Sequence, residues 1–146
     1  MGFLNFFLIS APRFSIGTQV KPIPEGFHSV TPYLSISGAA KAIEFYKKAF
    51  GAQERNRMDG PDGKSVAHAE ISIGNSIIML SNEMPQHGNK SPATLKGTPI
   101  KLAVYVQDCD AVFKRAVDAG ATVTMPMADQ FYGDRAGGVQ DPFGHK

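Results

Sequence analysis

The chain has 146 residues, 42% hydrophobic and 19% charged, enough for one domain around one core and too few to suggest a second. Its net charge of +2 comes from 15 basic and 13 acidic residues scattered without a run of like charges, which argues against nucleic acid as a partner. The single cysteine, Cys109, leaves no internal disulfide and no Cys-x-x-Cys pair for zinc or redox chemistry, in keeping with a reducing cytoplasm.

Residues 1–27 open on the apolar stretch Phe3-Leu4-Asn5-Phe6-Phe7-Leu8-Ile9. It has no basic flank and falls short of the roughly 20 residues that span a bilayer, so we expect neither a signal peptide nor a membrane partner. With no clear period, 1–27 reads as an N-terminal arm. From Thr31 the pattern becomes regular: a strand at Thr31–Ile36, then a helix with its apolar stripe at Ala39, Ala42, Ile43 and Tyr46. Gly51 stands where a left-handed helix cap belongs. Strands are expected near 52–59, 65–73 and 76–82, the first two joined by the turn Gly60-Pro61-Asp62-Gly63.

Residues 83–97, rich in proline, glycine, asparagine and serine, read as a linker, and beyond them the pattern repeats at an offset of 70. Lys101–Val106 matches the first strand. Cys109, Val112, Phe113 and Ala116 match the helical stripe, and Gly120 matches its cap, one residue early. Strands follow near 122–127 and 136–141, and Gly144-His145 realigns with Gly74-Asn75. The expectation is therefore α+β: two βαβββ modules pairing into a curved mixed sheet around a cup. Module one covers 28–82 and module two 98–146, within a single domain over 28–146. The final strand of module two is expected to be truncated.

Four blocks carry a family resemblance: Val30–Leu34; Ala42–Ala52; His68-Ala69-Glu70-Ile71 with Ile77–Leu80; and Phe131–Arg135 with Asp141-Pro142-Phe143-Gly144-His145. In order and spacing the chain resembles the PhnB-like branch of the vicinal oxygen chelate superfamily, the glyoxalase/bleomycin-resistance/dioxygenase fold. The resemblance implies a cytoplasmic, bacterial-type protein, commonly a homodimer, with a small-molecule ligand. Metal-dependent members place His, Gln or Glu at four strand positions. Here these fall on Thr31, on Lys101, on Met79 (Ile78 if the register slips by one), and about four residues after Gly144, past Lys146. The resemblance thus implies no metal site of the usual kind, and no cofactor is expected.

Alternation in Val66–Ile73 puts His68, Glu70 and Ser72 on one face. A histidine beside a carboxylate is equipment for proton abstraction next to a carbonyl, so His68 and Glu70 are the candidate catalytic pair; the alternative is an ordinary cross-strand pair on a solvated face. Tyr33, Met79, Lys101 and Tyr105 share the face of the former ligand positions and are candidate substrate-binding residues, with core packing or a snorkelling lysine as alternatives. Phe131, Tyr132 and Arg135 sit in a loop ahead of a strand, where Arg135 could clamp an anion or merely pair with Asp134. Cys109 is expected on the buried stripe of the second helix, an inert thiol.

Two functions stay open at this point. One is a small-molecule-binding protein acting as a metal-independent lyase or isomerase on a small anionic substrate. The other is a non-catalytic protein that sequesters a drug.

Overall fold

The computed structural model describes residue 9 and residues 21–146. Most of the expected arm, and any pairing it makes, lies outside the described residues. Module one forms as its pattern requires, with β1 (Tyr33–Ile36), α1 (Ala39–Phe50), β2 (Gln53–Asp59), β3 (Val66–Ile73) and β4 (Ser76–Asn82). The helix buries Ala39, Ala42, Ile43, Phe45, Tyr46 and Ala49. It stops at Gly51, where φ of 67° lets the backbone amide turn back onto the carbonyl of Lys47. Lys47 and Lys48 in the last turn complement the negative end of the helix dipole.

The strands make a mixed sheet in the order β1-β4-β3-β2, with β1 parallel to β4 and the other neighbours antiparallel. One face carries Ile36, Ala69, Ile71 and Leu80, all fully buried beneath α1. Burying each of the larger side chains contributes about 1.5–3 kcal/mol. The other face carries Tyr33, Glu70 and Met79 in one row, because Met79 is the register partner of both Tyr33 and Glu70.

The linker folds into a 3-10 turn (Pro85–His87) and a short helix, α2 (Pro92–Leu95). Module two contributes α3 (Cys109–Asp118), β5 (Thr122–Asp129) and β6 (Arg135–Gln140), the last two paired antiparallel as a separate sheet. Asp108 caps α3 by accepting the amide of Ala111 at 2.9 Å. Ala116, Ala121, Val139 and Phe143 pack onto the core of module one, so both modules share one apolar interior. The fold is α+β as expected, with a mixed four-stranded sheet, a further pair of strands and, among the described residues, no closed barrel.

The second helix stops at its glycine as expected: Gly120, with φ of 114°, follows Ala119, and the amides of Gly120 and Ala121 turn back onto the carbonyls of Val117 and Ala116, each at 2.9 Å. One expectation needs correction. Residues 101–106 form no strand. In module one β1 is held by its parallel partner β4, which begins at Ser76. At the offset of 70 that partner would begin at Lys146, and one bond of the kind is present, the Leu102 amide donating to the Lys146 carbonyl at 2.8 Å. A strand is defined by its ladder, so β-favouring residues alone do not make one.

Candidate functional site

On the open face of the four-stranded sheet, β1 and β3 lie on either side of β4, roughly 9–10 Å apart by ordinary strand spacing. Tyr33 reaches over Met79 to His68: its hydroxyl is 3.1 Å from Nδ1, with ring centroids 5.7 Å apart. The other ring nitrogen, Nε2, is 3.5 Å from Oε1 of Glu70. The alternation of β3 thus places His68 and Glu70 together, and the sheet order adds Tyr33 from 35 positions away.

A cation joins this face through a bulge. Between the pairs Glu54↔Ile71 and Asn56↔Glu70 the strand β2 carries one extra residue, Arg55. Its guanidinium lies beside Gly26, and so does the side chain of Ile77: a Cβ built on Gly26 would come 2.9 Å from Nη1 of Arg55 and 3.4 Å from Cδ1 of Ile77. Ile77 is the partner of Ser72, on the same face as His68 and Glu70. Arg55 escaped the sequence reading because Gln-Glu-Arg-Asn-Arg-Met-Asp looks like a solvated strand, and nothing in it marks the bulge.

The remaining candidates lie elsewhere. A cleft of about 1040 Å³ opens on the helix side of the sheets, lined by Leu34, Phe50 and Ile71 from module one and by Val112, Phe113 and Val139 from module two. Lys101, Tyr105, Tyr132 and Arg135 also line it, and Tyr33, Met79, His68 and Glu70 do not. The expected single wall is therefore two separate groups. The guanidinium of Arg135 is already forked onto Asp110, at 2.6 and 2.8 Å, with Asp129 at 3.0 Å. Those two carboxylates raise the Arg135 pKa further above its usual value and occupy the donors an anionic ligand would need. Neither is the Asp134 partner considered from the sequence. Phe131 is fully exposed, edge-on to Tyr132. Cys109 is half-buried, its thiol 3.6 Å from the Arg135 carbonyl.

A third cluster was not foreseen. The Tyr46 hydroxyl donates to Asp141 Oδ2 at 2.6 Å inside the protein. Asp141 Oδ1 accepts the amides of Phe143 and His145 at 2.9 and 2.8 Å, and His145 Nδ1 stands 3.5 Å from Oδ2. Burial works against the Asp141 charge, but His145, the Tyr46 hydroxyl and the turn amide outweigh it and hold the carboxyl below its usual range. Burial and the neighbouring carboxylate push the Tyr46 phenol far above its own. The signal available in the sequence was the Asp-Pro-Phe-Gly turn, whose aspartate can bond its own loop.

With the sheets and the pair of longer helices in view, the chain can be compared with known proteins. The family model of the Glyoxalase/Bleomycin resistance protein/Dioxygenase superfamily matches residues 26–146. The chain belongs to this superfamily. It is similar to an uncharacterized protein of Mycobacterium bovis, 48% identical over 120 residues that cover 80% of this chain and 78% of the relative. Among solved structures it resembles a gene product of Arabidopsis thaliana at 26% identity and a TM-score of 0.65, covering 82% of this chain and 94% of that one. A PhnB protein from Bacillus cereus shares the fold at 17% identity and a TM-score of 0.60, covering 81% and 95%. The superfamily's metal positions do not suit an ion here: the Thr31 hydroxyl bonds the His28 carbonyl at 3.1 Å, Met79 is apolar and Lys101 is cationic. Among the described residues no three His, Cys, Asp or Glu side chains converge as a ligand set.

Proposed function

We propose that this superfamily member binds a small anionic molecule on the open face of its four-stranded sheet and moves a proton there, as a metal-independent lyase or isomerase. The observation that carries this reading is the hydrogen-bonded row Tyr33, His68 and Glu70, with Arg55 supplying a cation from the bulge of the neighbouring strand β2. Imidazole gains and loses protons near neutral pH, and a carboxylate on one ring nitrogen fixes the tautomer that leaves the other as a base. His68 and Glu70 keep the acid–base role expected from the sequence. Arg55 takes the anion-holding role in place of Arg135, whose donors face Asp110 and Asp129. The protein works in the cytoplasm as a homodimer on this reading, with one domain over 28–146 and an arm ahead of it.

A second reading, sequestration of an aromatic drug without chemistry, is favoured by the Tyr33 ring, which is 41% exposed and neighbours Met79. Two probes separate the readings. Pyruvate and phosphonopyruvate each carry an acidic C–H beside a carbonyl and an anionic group. In deuterated buffer the full chain is expected to speed exchange of their C3 protons, read by proton NMR, and His68→Gln to lower that rate by about tenfold or more. If neither probe exchanges while bleomycin raises the melting temperature, sequestration replaces the proposed chemistry.

A further inference from the structure

We infer that the side chain meeting the ligand is Tyr33, with His68 and Glu70 as positioning residues behind it; this deepens the proposed function and rests on it. The argument is a count of donors. An ionised carboxylate only accepts, so the contact between Glu70 Oε1 and His68 Nε2 needs the proton on Nε2. A neutral ring then has a lone pair on Nδ1, and the contact at 3.1 Å needs the Tyr33 hydroxyl to donate into it. Both nitrogens of His68 are thereby engaged, and the phenol oxygen keeps a lone pair of its own.

Exposure agrees with that order. Tyr33 is 41% exposed, whereas the side chains of His68 and Glu70 are 28% and 20% exposed. The row runs from the more exposed tyrosine to the less exposed carboxylate, with Arg55 on the bulge of β2 beside Gly26. The fitting substrate is a carbon acid: a carbonyl flanked by a C–H, on a small skeleton that ends in a carboxylate or phosphonate for Arg55. In the step, the substrate proton passes to the Tyr33 oxygen as the hydroxyl proton passes to Nδ1 of His68. The electron pair of the C–H bond becomes a C=C bond as the π pair of the carbonyl moves onto its oxygen, and Glu70 stabilises the imidazolium. Return of the proton to the same carbon gives exchange; where that carbon bears a hydroxyl, its O–H proton passes to the enolate oxygen and the relayed proton returns to the former carbonyl carbon, which completes an isomerisation with no oxidant or reductant.

The test reads tautomer, reactivity and turnover on the full chain. Nitrogen-15 NMR of the imidazole is expected to show His68 protonated on Nε2, with the Nδ1 resonance moving in Tyr33→Phe. Acetylation by N-acetylimidazole, followed by mass spectrometry with Tyr105 as internal reference, is expected to modify Tyr33 faster than Tyr105, although Tyr105 is 90% exposed. His68→Gln should reverse that order, and Glu70→Gln should shift it partway. With pyruvate as probe, Tyr33→Phe should cost as much exchange as His68→Gln. A proton on Nδ1, or Tyr33 acetylation indifferent to His68→Gln, overturns the inference. Exchange lost in His68→Gln but kept in Tyr33→Phe puts His68 itself on the ligand, which leaves the proposed function and removes this deepening of it. No exchange in the unmodified chain, with Tyr33 still reactive through His68, removes the proposed function and leaves the relay.

Discussion

Tyr46 and Asp141 lie 95 positions apart and share a buried hydrogen bond of 2.6 Å that ties α1 to the turn after β6. Tyr46→Phe removes the donor and leaves a buried carboxylate one bond short, so stability should fall by about 1.5–3 kcal/mol in urea denaturation. The same carboxylate sets an acid limit. Its pKa is lower in the folded protein than the ordinary 3.8, so its contribution is complete above that value and is lost as pH falls through the folded one. Urea midpoints should drop on acidification below pH 4, and Asp141→Asn should flatten that drop while lowering stability at neutral pH. At this scale the sequence was half legible. The alternation of β3 put His68 and Glu70 on one face, whereas Asp141 was not singled out although its Asp-Pro-Phe-Gly turn stood in the sequence. Their partners Tyr33 and Tyr46 came from other elements, through a sheet order and a helix packing that no local pattern states.

Among the elements, α1 follows its sequence most closely, because its stripe, its glycine stop and its basic last turn all favour one helix. Gly51→Ala tests the stop alone: nothing lies within 4 Å of the added Cβ, so the cost is that of a side chain at a φ of 67°. We expect a loss of about 1 kcal/mol by thermal or urea unfolding, without loss of helix content. The helix α3 has the same stripe, yet only Ala116 is buried, with Cys109, Val112 and Phe113 half-open on the cleft. The periodicity gave their direction correctly. Their burial depends on what the sheet side supplies, and among the described residues the segment 101–106 beside them has a single backbone bond of this kind, at Leu102.

For the whole molecule, apolar surface remains uncovered on module two: Val104 is 43% exposed, Tyr105 90% and Phe131 100%. An exposed aromatic surface of this kind suits association. Light scattering of the full chain should give twice the 15.7 kDa mass if the proposed homodimer forms; the mass of one chain at high concentration would remove it. The sequence by itself determined the places of α1 and α3 and of the strands of module one, and the faces their side chains take. Those follow from local periodicity and from glycine punctuation, which a chain carries whatever it packs against. The tertiary structure alone decided that Lys101, Tyr105, Tyr132 and Arg135 part company with His68, Glu70, Tyr33 and Met79, and that Arg55 stands on a bulge of β2. It also decided that residues 101–106 stay outside any sheet. Sheet membership and cross-strand neighbours depend on hydrogen bonds to distant backbone, and those bonds exist only once the strands have taken their order.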